Sequence, residues 1–244
     1  MRMKVAPKVI LLFKDSNGFG EAIFHALEPC PNSGVQSGEE SFQLSLENYG
    51  IKDLKASGKI VHFQAPTGAH MVSVLLLENY EPPILLCAVS ETLAALVPSE
   101  QSSTMPTVLV PFVIPASKLR EDSKSSDITQ IYGLHFGPSN DITQALSAKL
   151  PNPPPSLQIY HEQLACLLQL VRVFTLPTTV LIGKTAPSKH NLTSNGQLQA
   201  LYEIGEYLTS FSSLCLSRQK ITLESSLEKI SGKVSQEPWR ALYG

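Results

Sequence analysis

Four stretches of the chain, VILLF (9–13), MVSVLLLE (71–78), TVLVPFVI (107–114) and TTVLI (178–182), are apolar almost without interruption. A strand with one face in water alternates apolar and polar side chains, whereas a strand covered on both faces does not. None of these runs approaches the length needed to cross a bilayer. They are strand-sized and belong inside a sheet that is packed on both sides. Segments with apolar residues at helical spacing stand between them, so the predicted fold class is α/β, a mixed central sheet with helices on both faces. At 244 residues the chain has the size of one core. One domain over residues 1–230, followed by a tether and tail over 231–244, is the expected organisation.

The spacing predicts a helix over 21–27 after the KDSNGFG turn, then a mobile surface loop over about 30–41, where Pro, Asn, Ser, Gly and Glu dominate. KIVHFQ (59–64), MVSVLLLE and PILLCAV (83–89) read as three strands joined by hairpin-sized turns, hence an antiparallel meander. Ser90 then reads as the cap of a helix that Pro98 closes. Further helices are expected over 139–150, 156–174, 193–211 and 217–230, with a strand over 128–136. PNPPPS (151–156) reads as a rigid connector within the domain.

The balance of 19 basic against 21 acidic residues, with no Lys/Arg run, gives no footprint for nucleic acid. The basic N-terminus is interrupted by Pro7 and Lys8 and lacks a cleavage site, so no secretory signal is expected. Cys30, Cys87, Cys166 and Cys215 stand far apart without a C-x-x-C pair. Reduced thiols in a cytoplasmic or nuclear protein without membrane segments are the expectation. Asn191-Leu192-Thr193 then reads as an ordinary loop.

The chemistry motifs mostly fail. Gly18 and Gly20 follow a strand and precede a helix, as in a dinucleotide fingerprint, but Ile23 holds the third small position. A nucleotide or nucleoside enzyme using that turn is the alternative reading; a tight strand-to-helix turn explains the same glycines. Gly183-Lys184-Thr185 lacks the opening glycine of a phosphate loop, since Thr178 stands there. His161 would begin a zinc helix if residue 165 were histidine, but it is Ala165. No other histidine forms an i, i+4 pair, and no G-x-S-x-G elbow occurs. No metal, cofactor or catalytic residue is assigned.

The tail carries the remaining signal. Residues 231–237 are small and polar, and beyond them come Trp239, Leu242, Tyr243 and Gly244. Aromatic and apolar anchors followed by a free carboxylate suit either a docking tail or a clasp folded back on the domain. A hydrophobic-Tyr-any ending resembles that of proteasome assembly chaperones and activators. NYEPPILLCAV, LACLLQLVRVFTLPTTVLIGKT and GQLQALYEIGEYL resemble segments of the first subunit of the heterodimeric proteasome assembly chaperone family. That resemblance implies a nucleoside-phosphorylase-like fold without catalytic residues and a second, related chaperone subunit as partner. It also implies docking of Leu242, Tyr243 and Gly244 between α subunits of the 20S core particle, with Trp239 as a further anchor.

Overall fold

A computed structural model describes residues 3–98, 105–120, 130–184 and 193–221. In chain order these form β1 (Lys8–Phe13), α1 (Phe19–Ala26), β2 (Leu27–Glu28), β3 (Gln36–Ser45), β4 (Lys55–Gln64), β5 (His70–Leu77) and α2 (Ile84–Leu96). Then follow β6 (Thr107–Ile114), β7 (Leu119–Arg120), β8 (Gln130–Phe136), α3 (Asp141–Ser147), β9 (Gln158–Ile159), α4 (Glu162–Phe174), β10 (Thr178–Lys184), α5 (Thr193–Ser212) and β11 (Cys215–Leu216).

The expected sheet is present. Seven strands lie in the order β3-β4-β5-β1-β6-β10-β8. β1 pairs in parallel with β5 on one side and β6 on the other, β10 continues the parallel set, and β4, β3 and β8 add antiparallel pairings at the edges. Side chains of β1 alternate between two cores because successive residues of a strand face opposite ways. Val9, Leu11 and Phe13 pack with Leu85, Val89 and Leu93 of α2 and Leu164 and Leu167 of α4. Ile10 and Leu12 pack with Ile23 of α1 and with Leu201, Ile204 and Leu208 of α5. The result is three layers, with α2 and α4 on one face and α1, α3 and α5 on the other.

Residues 83–89 correct the sequence reading. Pro83 is the N-cap and residues 84–89 the first turns of α2, which runs unbroken through Ser90 to Leu96. The run ILLCAV is compatible with a strand or a buried helix, and topology arbitrates. β5 and β6 are parallel strands flanking β1, and parallel strands need a crossover of about a dozen residues or more. Ser90 is therefore mid-helix and caps nothing; its hydroxyl receives the Tyr49 O–H at 2.9 Å.

The loop expected over 30–41 is also corrected. Residues 36–45 form β3, paired in register with β4 from Gln36↔Gln64 to Ser45↔Lys55. Within this edge strand only Phe42 and Leu44 are buried. The sequence therefore lacks the alternation of a half-buried strand, and its order comes from β4's backbone hydrogen bonds.

Cys30 and Cys215 are the third correction: the two are joined in a disulfide across a separation of 185 residues. β2 and β11 pair antiparallel beside it, and an ion pair joins Lys220 to Glu28. Cys87 and Cys166 are free thiols, half-buried on α2 and α4. Of the helix expected over 217–230, the described part is a single 3-10 turn at Arg218–Lys220 ending at Ile221, and the rest lies outside the described residues.

The close approach of α1 to β1 has one steric requirement. A Cβ on Gly20 would lie 1.9 Å from the Phe13 carbonyl oxygen, a backbone atom that cannot swing aside. Gly20→Ala should therefore cost about 3 kcal/mol or more, seen as a fall in urea midpoint at unchanged slope. Reducing the disulfide frees a very long loop in the unfolded chain and should lower unfolding free energy by about 2–5 kcal/mol. Melting with and without reductant, with Cys30→Ser as the control that should lose the reductant effect, measures it.

Candidate functional site

In an open α/β sheet the place for a ligand is the crevice where neighbouring parallel strands send their chains to opposite faces. Here that place lies between β1, which continues into α1, and β5, which continues into α2. A crevice of about 190 Å³ opens there, lined by Asp15, Asn17, Asn79, Glu81, His161 and Gln163 among others.

Asp15 holds the turn after β1. Its Oδ1 accepts the Asn17 N–H at 2.7 Å and its Oδ2 accepts the Gly20 N–H at 3.0 Å. Burial pushes the carboxyl above its usual range, while those backbone donors pull it back. Gly18 sits in the left-handed region at φ 72° just before α1, a conformation that glycine adopts without cost. Both glycines of the turn are thus explained by backbone geometry. The helix N-terminus, where a phosphate would bind, already faces a carboxylate.

Gln163, on the first turn of α4, closes the crevice from the other layer. Its Nε2 donates to the Lys14 carbonyl at 3.0 Å and to Asn79 Oδ1 at 3.1 Å, tying α4 to the ends of β1 and β5. That orientation leaves its Oε1 buried and without a partner among the described residues. His161 caps α4 by accepting the Leu164 N–H on Nδ1 at 3.3 Å, and its ring meets Phe112 edge-on at 5.4 Å. Burial, with the Lys118 charge added, lowers its pKa to about 4. The imidazole is neutral at pH 7, and the accepting Nδ1 places the proton on Nε2. Asp15, Gln163 and His161 each perform an intramolecular task.

A second cluster was invisible in the sequence because its members come from three strands and the N-terminal segment. Ser73 Oγ accepts the Ala6 N–H at 2.8 Å and shares a hydrogen bond with His62 Nδ1 at 2.9 Å. The Glu40 carboxylate, which can only accept, receives the His62 Nε2–H at 3.2 Å, and the His70 ring stands edge-on to His62 at 4.9 Å. Ser73 is fully buried. The line of bonds fastens the N-terminal segment to β5, β4 and β3.

Gly183 and Lys184 lie within β10, so no phosphate loop surrounds them. Among the described residues there is no group of three or more His, Cys, Asp or Glu suited to a metal ion, and no helix is long and apolar enough to cross a membrane. Trp239, Leu242, Tyr243 and Gly244 lie outside the described residues.

The depressed pKa of His161 has a consequence for stability. The unfolded chain takes up a proton near pH 6.5, the folded one only near pH 4, so stability is full above pH 6.5 and falls as the pH drops between those values. His161 is only half-buried, and solvent screening reduces the effect to about 2 kcal/mol. His70 and His135 are lowered in the same direction, both mainly by burial. His161→Gln should flatten the loss between neutral and acid pH in urea titrations.

No curated protein matches this chain. Solved structures share its fold at low identity. One is a protein of unknown function from Thermoplasma acidophilum, with TM-score 0.54 and 13% identity over 99% of this chain and 90% of that one. PbaB of Pyrococcus furiosus, an archaeal proteasome activator, gives TM-score 0.51 and 10% identity over 95% and 96% of the two chains. PbaA of the same organism, an archaeal homolog of proteasome-assembly chaperone, gives 0.50 and 14% over 94% and 87%. A family model matches residues 3–244, and the chain belongs to that family, the domain of unknown function DUF7894.

Proposed function

We propose that this protein is a proteasome assembly chaperone that works by docking and not by catalysis. It pairs with a second, related chaperone subunit and engages the α ring of the 20S core particle during assembly, in the cytoplasm and nucleus. Leu242, Tyr243 and the carboxylate of Gly244 enter a pocket between α subunits, with Trp239 as a further anchor. The observation that carries this reading is a conjunction: a hydrophobic-Tyr-any ending in the sequence attached to a fold shared with PbaA and PbaB, a proteasome-assembly chaperone homolog and a proteasome activator.

The chemistry of such a tail is simple. Tyr243 offers a broad ring and a hydroxyl donor, Leu242 adds apolar burial, and Gly244 presents its carboxylate without steric hindrance. One short tail binds weakly because ordering it costs conformational entropy. A second tail on the partner subunit turns the next contact into an intramolecular one and raises avidity by about 10² to 10⁴ when the spacing matches.

The competing reading, an enzyme of nucleotides or nucleosides built on the Gly18/Gly20 turn, is disfavoured by Asp15. That carboxylate accepts the backbone donors a phosphate would need, and a nucleotide would have to displace it against like charge.

Deleting residues 242–244 should leave the melting temperature unchanged and reduce co-purification of α subunits with the N-terminally tagged protein at least about tenfold. Undiminished recovery overturns the tail's role. Thermal stabilisation by a nucleotide that is abolished by Gly18→Ala would favour the enzyme.

A further inference from the structure

The bonds made inside the crevice between β1 and β5 use up its donors and leave acceptors over. Gln163 Nε2 gives both of its hydrogens, to the Lys14 carbonyl and to Asn79 Oδ1. Gln163 Oε1 receives none among the described residues, although the residue has only 8% of its surface exposed. A buried carbonyl oxygen without a donor is costly, and a donor brought to it recovers that cost.

Asp15 lines the same crevice and lacks a counter-charge. Its neighbour in sequence, Lys14, pairs with Glu21 at 2.9 Å and with Glu78 at 3.4 Å. No cation pairs with Asp15 among the described residues, and the charge that bears on it, Glu21, has its own sign. Each of its oxygens accepts one backbone N–H, whereas a carboxylate has places for about four donors. Glu81 and Glu162 add two more carboxylates to the lining, against one ammonium, Lys118. A concave site with an excess of one charge concentrates ligands of the other.

We propose that this crevice binds a small organic cation, a primary amine whose ammonium group donates to Asp15 and to Gln163 Oε1. A metal ion does not suit it: among the described residues no three His, Cys, Asp or Glu are grouped closely enough to hold one. A molecule several atoms long spans carboxylates that a single ion cannot. The crevice of about 190 Å³ has room for it, since one water takes about 30 Å³. Leu85 and Pro115 offer its methylene groups an apolar wall. Gln163 Oε1 is closed to solvent, and the ammonium reaches it as Glu81 and Glu162, both exposed, change rotamer, which exposed side chains do in picoseconds to nanoseconds. A second ammonium, at the far end of a diamine, then meets those two carboxylates. The same charge balance that turns a phosphate away from Asp15 selects this ligand.

Isothermal titration calorimetry on the isolated full chain tests the proposal with four ligands built on one four-carbon chain: butylamine, 1,4-diaminobutane, 4-aminobutanoate and butanoate. No proteasome particle takes part, so the result is separate from that of the tail-docking experiment. Diaminobutane should bind tightest, with a dissociation constant of about 1 mM or below. Butylamine and aminobutanoate should bind more weakly, and butanoate should give no heat of binding. Asp15→Asn should weaken diaminobutane at least about tenfold. Because Asp15 also holds the turn before α1, its variant is checked by circular dichroism melting, and exposed positions give a second measurement that folding does not confound. Lys118→Gln should tighten diaminobutane about threefold, and Glu81→Gln combined with Glu162→Gln should weaken it by a similar factor. Opposite signs at the two places are not what a purely structural role would give. Amines that bind no better than butanoate, a folded Asp15→Asn chain that binds diaminobutane like the wild type, or Lys118 and Glu81/Glu162 variants that fail to move the affinity in opposite directions would each overturn it.

Discussion

The fold depends on burying β1 from both sides. Its residues from Val9 to Leu12 have no more than 1% of their surface in water, and that condition needs parallel neighbours on each edge and a helical layer on each face. Each neighbour adds its own requirement. The parallel pairing with β5 and β6 demands a crossover, supplied by α2. The two faces demand two separate sets of apolar helix residues, supplied by α2 with α4 and by α1 with α5. Gly20 lets α1 approach closely, and the extension of the sheet by β3, β4 and β8 moves its edges away from the buried centre.

The same topology creates a crevice at the ends of β1 and β5, and several of the polar groups that line it are engaged in hydrogen bonds within the chain. Asp15 satisfies the start of α1, Gln163 joins the two strand ends, and His161 caps α4 as a neutral imidazole. In many α/β proteins these donors and acceptors are left for a ligand. Here, burial and backbone geometry commit them to holding the two layers together.

The first and last described segments are fastened by long-range contacts. Near the N-terminus, the Ala6–Ser73–His62–Glu40 line joins the entering segment to three strands. At the other end of the described residues, the Cys30–Cys215 bond, the β2/β11 pair and buried Ile221 hold the last of them against the α1 and α5 layer.

The sequence by itself determined the fold class and most of the elements. A continuous apolar run of strand length, such as VILLF or TVLVPFVI, has few ways to avoid water other than the middle of a covered sheet. Helical spacing likewise fixed α1, α4 and α5. It also supplied the terminal Leu242-Tyr243-Gly244 motif and the failure of Gly18/Gly20 as a nucleotide fingerprint, because those depend on local order along the chain. Tertiary structure decided what depends on partners distant in sequence. ILLCAV became helix because β5 and β6 had to be bridged, and the polar segment after Cys30 became a strand because β4 offered its edge. Cys30 met Cys215, and Ser73 met His62 and Glu40, through strand pairing and layer packing. The crevice residues were not legible for the same reason. Asp15 and His161 bond within their own turns, to Asn17 and Gly20 and to Leu164, but no spacing links them to Gln163, which reaches Lys14 and Asn79 only because α4 folds over the ends of β1 and β5.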